Sequence, residues 1–188
     1  MGPDVAALVL EAPGRLQRRR FLKPTVEEDT ALLRVELVGV CGTDVKTYAG
    51  SMPYPFPLVL GHEIIGRIEE AGARFLTDRG VAVGDRVAVV ARVPCWSCAA
   101  CQGGRYRDCL RRTGYGTWTP ADHPPHLWGG MAEYMHLAAG SVLRVVPPHV
   151  SPAAALMVHT VVGNGFEWTR IVGGLRKKRR SALLGLPA

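Results

Sequence analysis

Four cysteines lie between residues 95 and 109, and their spacing constrains the fold more than any other feature of the chain. The pattern C-x2-C-x2-C-x7-C joins Cys95, Cys98, Cys101 and Cys109. Two-residue gaps let successive thiolates point at one ion, and the longer gap lets the fourth complete a tetrahedron. The pattern therefore predicts a structural zinc site without an open position, which orders a loop that buries little apolar surface. A redox pair and an iron–sulfur cluster use the same residue type and are the alternatives.

Two short glycine-flanked segments hold the fifth cysteine and a histidine. Residues 39–44 read GVCGTD and residues 61–66 read GHEIIG, so Cys41 and His62 are 21 positions apart. Thiolate and imidazole are ligands that zinc prefers, and a zinc ion with few protein ligands keeps a position open for a substrate oxygen. Either residue alone is more often an ordinary buried or surface residue. Their pairing, with Asp44 and Glu63 beside them, favours a metal site between loops of a β-rich domain.

These two motifs, in this order and spacing, resemble those of the zinc-dependent medium-chain alcohol dehydrogenases, whose catalytic domain has a GroES-like fold. The resemblance extends over about residues 5 to 170. It implies an oxidoreductase of the medium-chain dehydrogenase/reductase type that converts an alcohol or polyol to a carbonyl compound with NAD or NADP. The family also has a four-cysteine lobe at this point of its chain, which supports structural zinc over the alternatives.

The resemblance implies a set of ligands for the catalytic zinc. Cys41 and His62 match two protein ligands of the family, and Glu63 matches the carboxylate behind the metal that can approach it during ligand exchange. The third protein ligand of the family, a cysteine, aligns with His159 here, and histidine is a competent zinc ligand. A helix-surface histidine and a surface glutamate are the ordinary alternatives for these last two residues.

Two further residues receive catalytic roles from the same resemblance. Thr43 matches the hydroxyl that receives the substrate proton. Asp44 matches the carboxylate that hydrogen-bonds the zinc-bound imidazole and fixes its tautomer. Lys46 stands where members often have a histidine, so the rest of the proton relay departs from the family pattern. A plain turn is the alternative role for Thr43 and Asp44.

Short apolar runs between turn signals predict a mainly β fold with some α. We expect a GroES-like irregular β-barrel, with the zinc-stapled lobe at about residues 92–112. The expected strands cover residues 5–10, 31–40, 64–70, 85–90, 131–137 and 142–146. Residues 51–57 hold three prolines and are expected to form a fixed loop. Residues 114–130 are expected to form a second loop, either lining a substrate cleft or on the plain surface.

The end of the chain predicts how the domains are divided. We expect a GroES-like zinc-binding catalytic domain at residues 1–150, a linker helix at 151–175 and a basic tail at 176–188. Ser151 followed by Pro152 is a typical helix start, here the first helix of an absent α/β Rossmann domain. No GxGxxG follows, and a tail of this length cannot form a βαβ unit. We therefore expect a truncated catalytic domain that is inactive alone. It is a domain fragment, a genuine short protein or the product of a frameshifted or prematurely stopped gene. The abrupt change to a basic tail favours the last explanation.

Composition narrows the partners and the location. The chain of 188 residues has a formal net charge of +7, to which residues 176–180 contribute a run of five basic side chains. No apolar run is long enough for a membrane span, and no signal peptide is evident. We expect a cytoplasmic protein, with a small-molecule alcohol or carbonyl substrate, that forms a homo-oligomer and binds neither membrane nor nucleic acid.

Two other functional classes stay open at this stage. One is a zinc-stabilised binding module without catalytic activity, whose basic tail contacts nucleic acid or an acidic partner and binds DNA with a steep salt dependence. The other is a hydrolase with a nucleophilic cysteine, in which His62 activates Cys41. Thiol labelling distinguishes the hydrolase from a zinc enzyme. A free activated thiolate reacts fast, whereas a zinc-bound thiolate is protected until the zinc is chelated.

Overall fold

The computed structural model describes residues 4–111 and 113–174, and strands dominate this part of the chain. The mainly β class predicted from the sequence is confirmed. Six of the strands cover the predicted runs to within a few residues. The strands are β1 (Asp4–Ala12), β2 (Arg15–Leu22), β3 (Ala31–Gly39), β4 (Leu58–Val59), β5 (Glu63–Ala71), β6 (Arg86–Val89), β7 (Arg92–Val93), β8 (Thr113–Gly114), β9 (Tyr134–Leu137) and β10 (Leu143–Val145).

Antiparallel pairing arranges these strands in three sheets within the described residues. The largest has the order β10-β6-β5-β3-β9, a second has the order β2-β1-β4, and β7 pairs with β8 in the third. An isolated bridge between Ala7 and Ala132 links β1 to the segment before β9. The two larger sheets are therefore connected at one corner, and the small third sheet lies at the base of the four-cysteine lobe.

The five-stranded sheet is buried on both faces at its centre. Successive side chains of a strand point to opposite faces, and both Ile64 and Ile65 of β5 are fully buried. Ile64 belongs to the main core with Leu33, whereas Ile65 packs in a second cluster that includes Ala155 of the C-terminal helix. Complete burial of an isoleucine stabilises the fold by about 1.5–3 kcal/mol, so this double coverage fixes β5 firmly.

Short helices connect the strands, and a longer helical segment ends the described chain. Ser151 caps the latter, because its Oγ accepts a hydrogen bond from the Ala154 amide at 3.2 Å, and Pro152 occupies the first turn as predicted. The helical elements are α1 (Gly42–Tyr48), α2 (Ala73–Arg79), α3 (Ala99–Gln102), the 3-10 turn Tyr106–Asp108, α4 (Pro152–Met157), the π-helical turn Val158–Val162, α5 (Gly163–Phe166) and the π-helical turn Glu167–Val172.

The predicted division of the chain into a domain, a linker helix and a basic tail stays a prediction. The basic tail at residues 176–188 lies outside the described residues, and the division into a domain and a linker helix is untested. Residues 51–57 contain no helix or strand, and residues 115–130 are likewise loop. No helix within the described ranges is long and apolar enough to cross a membrane.

Candidate functional site

The pairing of β3 with β5 brings the two glycine-flanked motifs together. In this antiparallel ladder Gly39, the last residue of β3, lies opposite Glu63, the first residue of β5. Cys41 follows one strand and His62 precedes the other, so both emerge at the same edge of the sheet. A Cβ at Gly39 would overlap the carboxylate of Glu63, so a larger residue at this position would displace the Glu63 side chain.

Gly61 shapes the second motif through its backbone. Its φ is 89°, in the left-handed region that favours glycine. A Cβ there would lie 2.6 Å from Cγ2 of Val38 and 2.9 Å from the amide nitrogen of Met131. The left-handed backbone at Gly61 therefore lets the segment between β4 and β5 pass close to Val38 and Met131 just before His62.

A capping arrangement at the start of α1 holds Cys41 and Asp44. The Cys41 sulfur accepts a hydrogen bond from the Thr43 amide at 3.3 Å, and the Asp44 carboxylate accepts one from the Cys41 amide at 3.0 Å. This reciprocal pair is a capping box with cysteine in place of the usual serine or threonine. It fixes the thiol at the start of the helix and leaves the second carboxylate oxygen of Asp44 to face His62.

Three donor atoms converge at this edge of the sheet. Sγ of Cys41 lies 3.0 Å from Nε2 of His62. With a carboxylate oxygen of Glu63, these atoms all lie within 4.8 Å of one another. One thiol, one imidazole and one carboxylate form a donor set that suits zinc. The structure thus brings together three of the four residues predicted for the catalytic metal.

Asp44 and His62 provide an independent test of whether a cation fits. Oδ1 of Asp44 lies 3.5 Å from Nδ1 of His62, which is within ion-pair range but longer than an ordinary hydrogen bond. Both atoms are buried and have no other hydrogen-bond partner among the described residues. A histidine that gives one nitrogen to a metal and the other to a carboxylate uses both atoms in this way. The arrangement fits zinc at Nε2.

Electrostatics reinforces this pair. Burial of His62 disfavours its charged form, but Asp44 and Cys41 outweigh that effect and raise the pKa of His62 to about 9. Burial acts to raise the pKa of Asp44, yet His62 and the Cys41 amide bring it below its usual value. The buried carboxylate is therefore negative at neutral pH and favours a positive charge on or beside the imidazole.

The three donor residues line a cavity of about 580 Å³. Thr43 also lines it, as the role of proton acceptor requires, whereas Lys46 is exposed and is not among the described lining residues. Aromatic side chains form part of the wall, since Tyr54 and Trp118 meet edge to face with ring centroids 6.0 Å apart. The cavity has room for a small organic molecule beside the donor atoms.

His159 reaches the same cavity but points elsewhere. Its Nε2 lies 3.1 Å from the Val89 carbonyl oxygen, a distance at which the imidazole donates a hydrogen bond. Burial lowers the pKa of His159, and the Val89 carbonyl partly opposes that change. The group of three donors described above does not include this residue. Its role as a ligand stays a prediction that this hydrogen bond does not favour.

The other four cysteines form the second cluster of potential ligands. Their sulfur atoms all lie within 4.8 Å of one another, and Cys101 and Cys109 are buried. Hydrogen bonds from Ser97 lower the pKa of the Cys95 thiol, whereas burial and the neighbouring thiols raise that of Cys101. A bound divalent cation would favour the thiolate form of these sulfur atoms.

Trp96 attaches this lobe to the loop between β9 and β10. Its Nε1 donates a hydrogen bond to the Gly140 carbonyl at 2.9 Å, and its backbone adopts a φ of 56°. The lobe therefore has a fixed position beside the cavity, and it contributes Tyr106 and Arg107 to the cavity wall.

Sequence reasoning did not identify several residues of the cavity. The sequence predicts that residues 114–130 form a loop that either lines a substrate cleft or lies on the plain surface. Thr117 and Trp118 of this loop line the cavity. Tyr54, Arg92 and Arg107 were not predicted. Only Tyr54 had a signal in the sequence, because it lies among the prolines of a rigid loop.

Comparison with known proteins agrees with this geometry. The family model of the alcohol dehydrogenase GroES-like domain matches residues 27–148. The protein named "Probable alcohol dehydrogenase adh" of Mycobacterium tuberculosis H37Rv is 44% identical over 170 residues, which cover 89% of this chain and 46% of that protein. An uncharacterized zinc-type alcohol dehydrogenase-like protein of Haemophilus influenzae is 34% identical over 158 residues, covering 82% of this chain and 43% of its own length.

A solved structure gives the same result. A short chain alcohol dehydrogenase from Escherichia coli CFT073, complexed with NADH, matches with a TM-score of 0.70 at 29% identity and covers 87% of this chain and 46% of that one. The chain thus spans about half the length of the relatives it matches. Because the family model matches most of the chain, the protein belongs to the alcohol dehydrogenase GroES-like domain family of the zinc-dependent alcohol dehydrogenases.

Proposed function

We propose that this chain is the zinc-binding catalytic domain of an alcohol dehydrogenase that oxidises an alcohol or polyol with NAD or NADP. The observation that supports this most is the convergence of Cys41, His62 and Glu63 on one wall of a cavity. Residues 1–150 would form the catalytic domain, and residues 151–175 would lead to the part of the enzyme that binds the nicotinamide cofactor. Homo-oligomer formation and a cytoplasmic location stay predictions.

Each residue of the site has a defined task in this proposal. Cys41, His62 and Glu63 would hold the catalytic zinc, which when bound would supply a Lewis acid that lowers the pKa of the substrate alcohol. Asp44 keeps the proton of His62 on Nδ1, so Nε2 stays available as a ligand. The Thr43 hydroxyl, at the cavity wall, would accept the hydroxyl proton of the alcohol while it passes its own proton on to solvent, and the hydride from the alcohol carbon would go to the nicotinamide ring.

The four-cysteine lobe would hold the second zinc ion. Its four thiolates leave no position for a substrate, so its contribution is to order the lobe that forms one side of the cavity.

Cobalt substitution tests the catalytic assignment directly. Cobalt(II) can replace zinc in both sites, and its visible absorption depends on the number and type of its ligands. A small alcohol or aldehyde should alter the absorption of the ion at the Cys41 site only. The alteration should disappear in Cys41→Ala and persist in Cys101→Ser, which affects the lobe. A spectrum that alcohols do not change in the unaltered protein would contradict the proposal.

A thiol hydrolase is the second candidate, because one contact chain supports it. Cys41, His62 and Asp44 stand in the order of nucleophile, base and orienting carboxylate, with the 3.0 Å and 3.5 Å separations given above. Alkylation of the zinc-loaded protein distinguishes the two functions. Slow labelling of Cys41 that becomes fast after chelation supports the dehydrogenase, and fast labelling before chelation supports the hydrolase.

A further inference from the structure

The proline-rich loop at residues 51–57 places an aromatic side chain at the cavity wall. Tyr54 lies between two of its prolines and lines the cavity together with Cys41. The end of the loop is tied to the rest of the domain, because the Pro57 carbonyl accepts a hydrogen bond from the Ala121 amide at 2.7 Å. Proline restricts the backbone on either side of Tyr54. The loop therefore gives the side chain a fixed origin.

Packing also fixes the Tyr54 ring. The ring packs against an apolar cluster that contains Leu10, Leu58 and Leu60. It also meets Trp118 edge to face, with ring centroids 6.0 Å apart. Aromatic rings prefer this arrangement, and it adds to the stabilisation that burial of the ring provides. The hydroxyl at the end of the ring is therefore held at one place on the cavity wall.

The Tyr54 hydroxyl is unused within the described part of the chain. It forms no hydrogen bond there, and it is not among the buried polar atoms that lack a partner, so it is open to the cavity. Burial raises the pKa of Tyr54, Arg92 opposes that rise, and Cys41 and Asp44 add to it. The phenol therefore keeps its proton at neutral pH, can both donate and accept a hydrogen bond, and lies within electrostatic range of the metal site.

Other hydroxyl groups of the cavity wall have defined tasks. Thr117 and Thr160 line the cavity, but their hydroxyls donate hydrogen bonds to backbone carbonyl groups at 3.5 Å and 2.9 Å. Thr43, beside Cys41, would accept the proton of the reacting hydroxyl. A substrate with a single hydroxyl group needs no further partner, so Tyr54 offers a polar contact that such a substrate leaves unused.

We propose that the substrate has a second hydroxyl group, which Tyr54 binds while the reacting hydroxyl faces Cys41 and His62. The inference deepens the proposed function and rests on it, because it selects a polyol over an alcohol with one hydroxyl group. A site that hydrogen-bonds a substrate hydroxyl disfavours the analogue without it, since the polar group of the protein is then left unpaired. Tyr54 is a specificity-determining residue here and takes no part in hydride transfer.

Three alcohols with the same number of carbons test the proposal. The first, 1-propanol, has one hydroxyl group, whereas 1,2-propanediol and 1,3-propanediol have a second one at different distances. Binding to the cobalt-substituted chain of 188 residues is followed by the visible absorption of the ion at the Cys41 site. At least one diol should bind about fivefold or more tightly than 1-propanol, as one additional neutral hydrogen bond allows.

Two tyrosine variants give the matched comparison. Tyr54→Phe removes the hydroxyl and keeps the ring, so it should lower the affinity for the preferred diol about fivefold and leave 1-propanol binding unchanged. A purely structural role of Tyr54 would change the binding of all three alcohols alike. Tyr48→Phe is the control and should keep the preference, because the Tyr48 hydroxyl donates to the Gly14 carbonyl at 3.0 Å and Tyr48 is not among the described lining residues.

The outcomes separate this inference from the function on which it rests. Equal binding of the three alcohols to the unaltered protein, or an undiminished preference for a diol in Tyr54→Phe, would overturn the inference while the catalytic zinc site stands. A cobalt spectrum that none of the three alcohols changes would contradict the proposed function, and the inference with it.

Discussion

Asp44→Asn changes one charge in the candidate catalytic site and keeps its shape. The asparagine oxygen can still accept the hydrogen bond from the Cys41 amide, so the capping box at α1 survives. The substitution removes the negative charge that lies 3.5 Å from Nδ1 of His62. Because Asp44 is only 4% exposed, solvent screens this interaction weakly.

The size of the effect follows from His62. A pKa of about 9 in place of 6.5 corresponds to about 3 kcal/mol of preference for the imidazolium. Asp44 and Cys41 share this preference, so loss of Asp44 should lower the pKa of His62 by more than about one pH unit. In the metal-free protein the ion pair stabilises the fold fully below pH 6.5, and this stabilisation is lost as the pH rises through about 9.

Histidine NMR titration of the metal-free protein measures the pKa directly. Zinc competition with a chromophoric chelator then measures the affinity, which should fall about tenfold in Asp44→Asn because the carboxylate favours a divalent ion more than a proton. Asp122→Asn is the matched control, since Asp122 is exposed and pairs with Arg19 away from the cavity. A His62 pKa that stays near 9 in Asp44→Asn would refute the role given to this carboxylate.

The remaining predictions concern pH and the lobe. Burial lowers the pKa of His136 to about 4, so the unfolded chain binds a proton below pH 6.5 that the folded chain does not. The free energy of unfolding should therefore fall by up to about 3 kcal/mol as the pH is lowered from 6.5 to 4. His136→Leu should reduce this dependence on pH. Urea titrations measure it, and the zinc content of each sample is measured at each pH. If the two slopes are equal, His136 is not buried as a neutral imidazole. Removal of the lobe zinc by a chelator should make residues 95–111 sensitive to protease while β3 and β5 stay protected; cleavage at equal rates with and without zinc would contradict a structural role for the metal.

The candidate site was predictable where its residues adjoin strands that pair with each other. Cys41 and His62 each adjoin a strand that alternation in the sequence predicts, and antiparallel pairing of those strands places the two residues together. The four-cysteine cluster was predictable for a different reason, since its spacing alone restricts the geometry. Neither inference required knowledge of the packing between sheets.

Other features depend on packing that the sequence does not display. Helices α1 and α2 have seven residues each, too few for a clear helical pattern. Cysteine is an unusual cap for α1, and burial of Phe75 fixes α2. His136 lies in a four-residue strand whose neighbours are buried on both faces, so alternation fails there. Arg92 of β7 lines the cavity together with Tyr106 and Arg107 of the lobe that follows it, a proximity that their positions in the sequence do not display.

The number of zinc ions per chain tests the central claim most directly. The two donor groups predict two equivalents of zinc in the purified, dialysed protein. Cys41→Ala should lose one equivalent and Cys101→Ser the other, with the remaining site intact in each case. One equivalent that Cys41→Ala leaves unchanged would contradict the catalytic site, and a folded protein without zinc would contradict both sites.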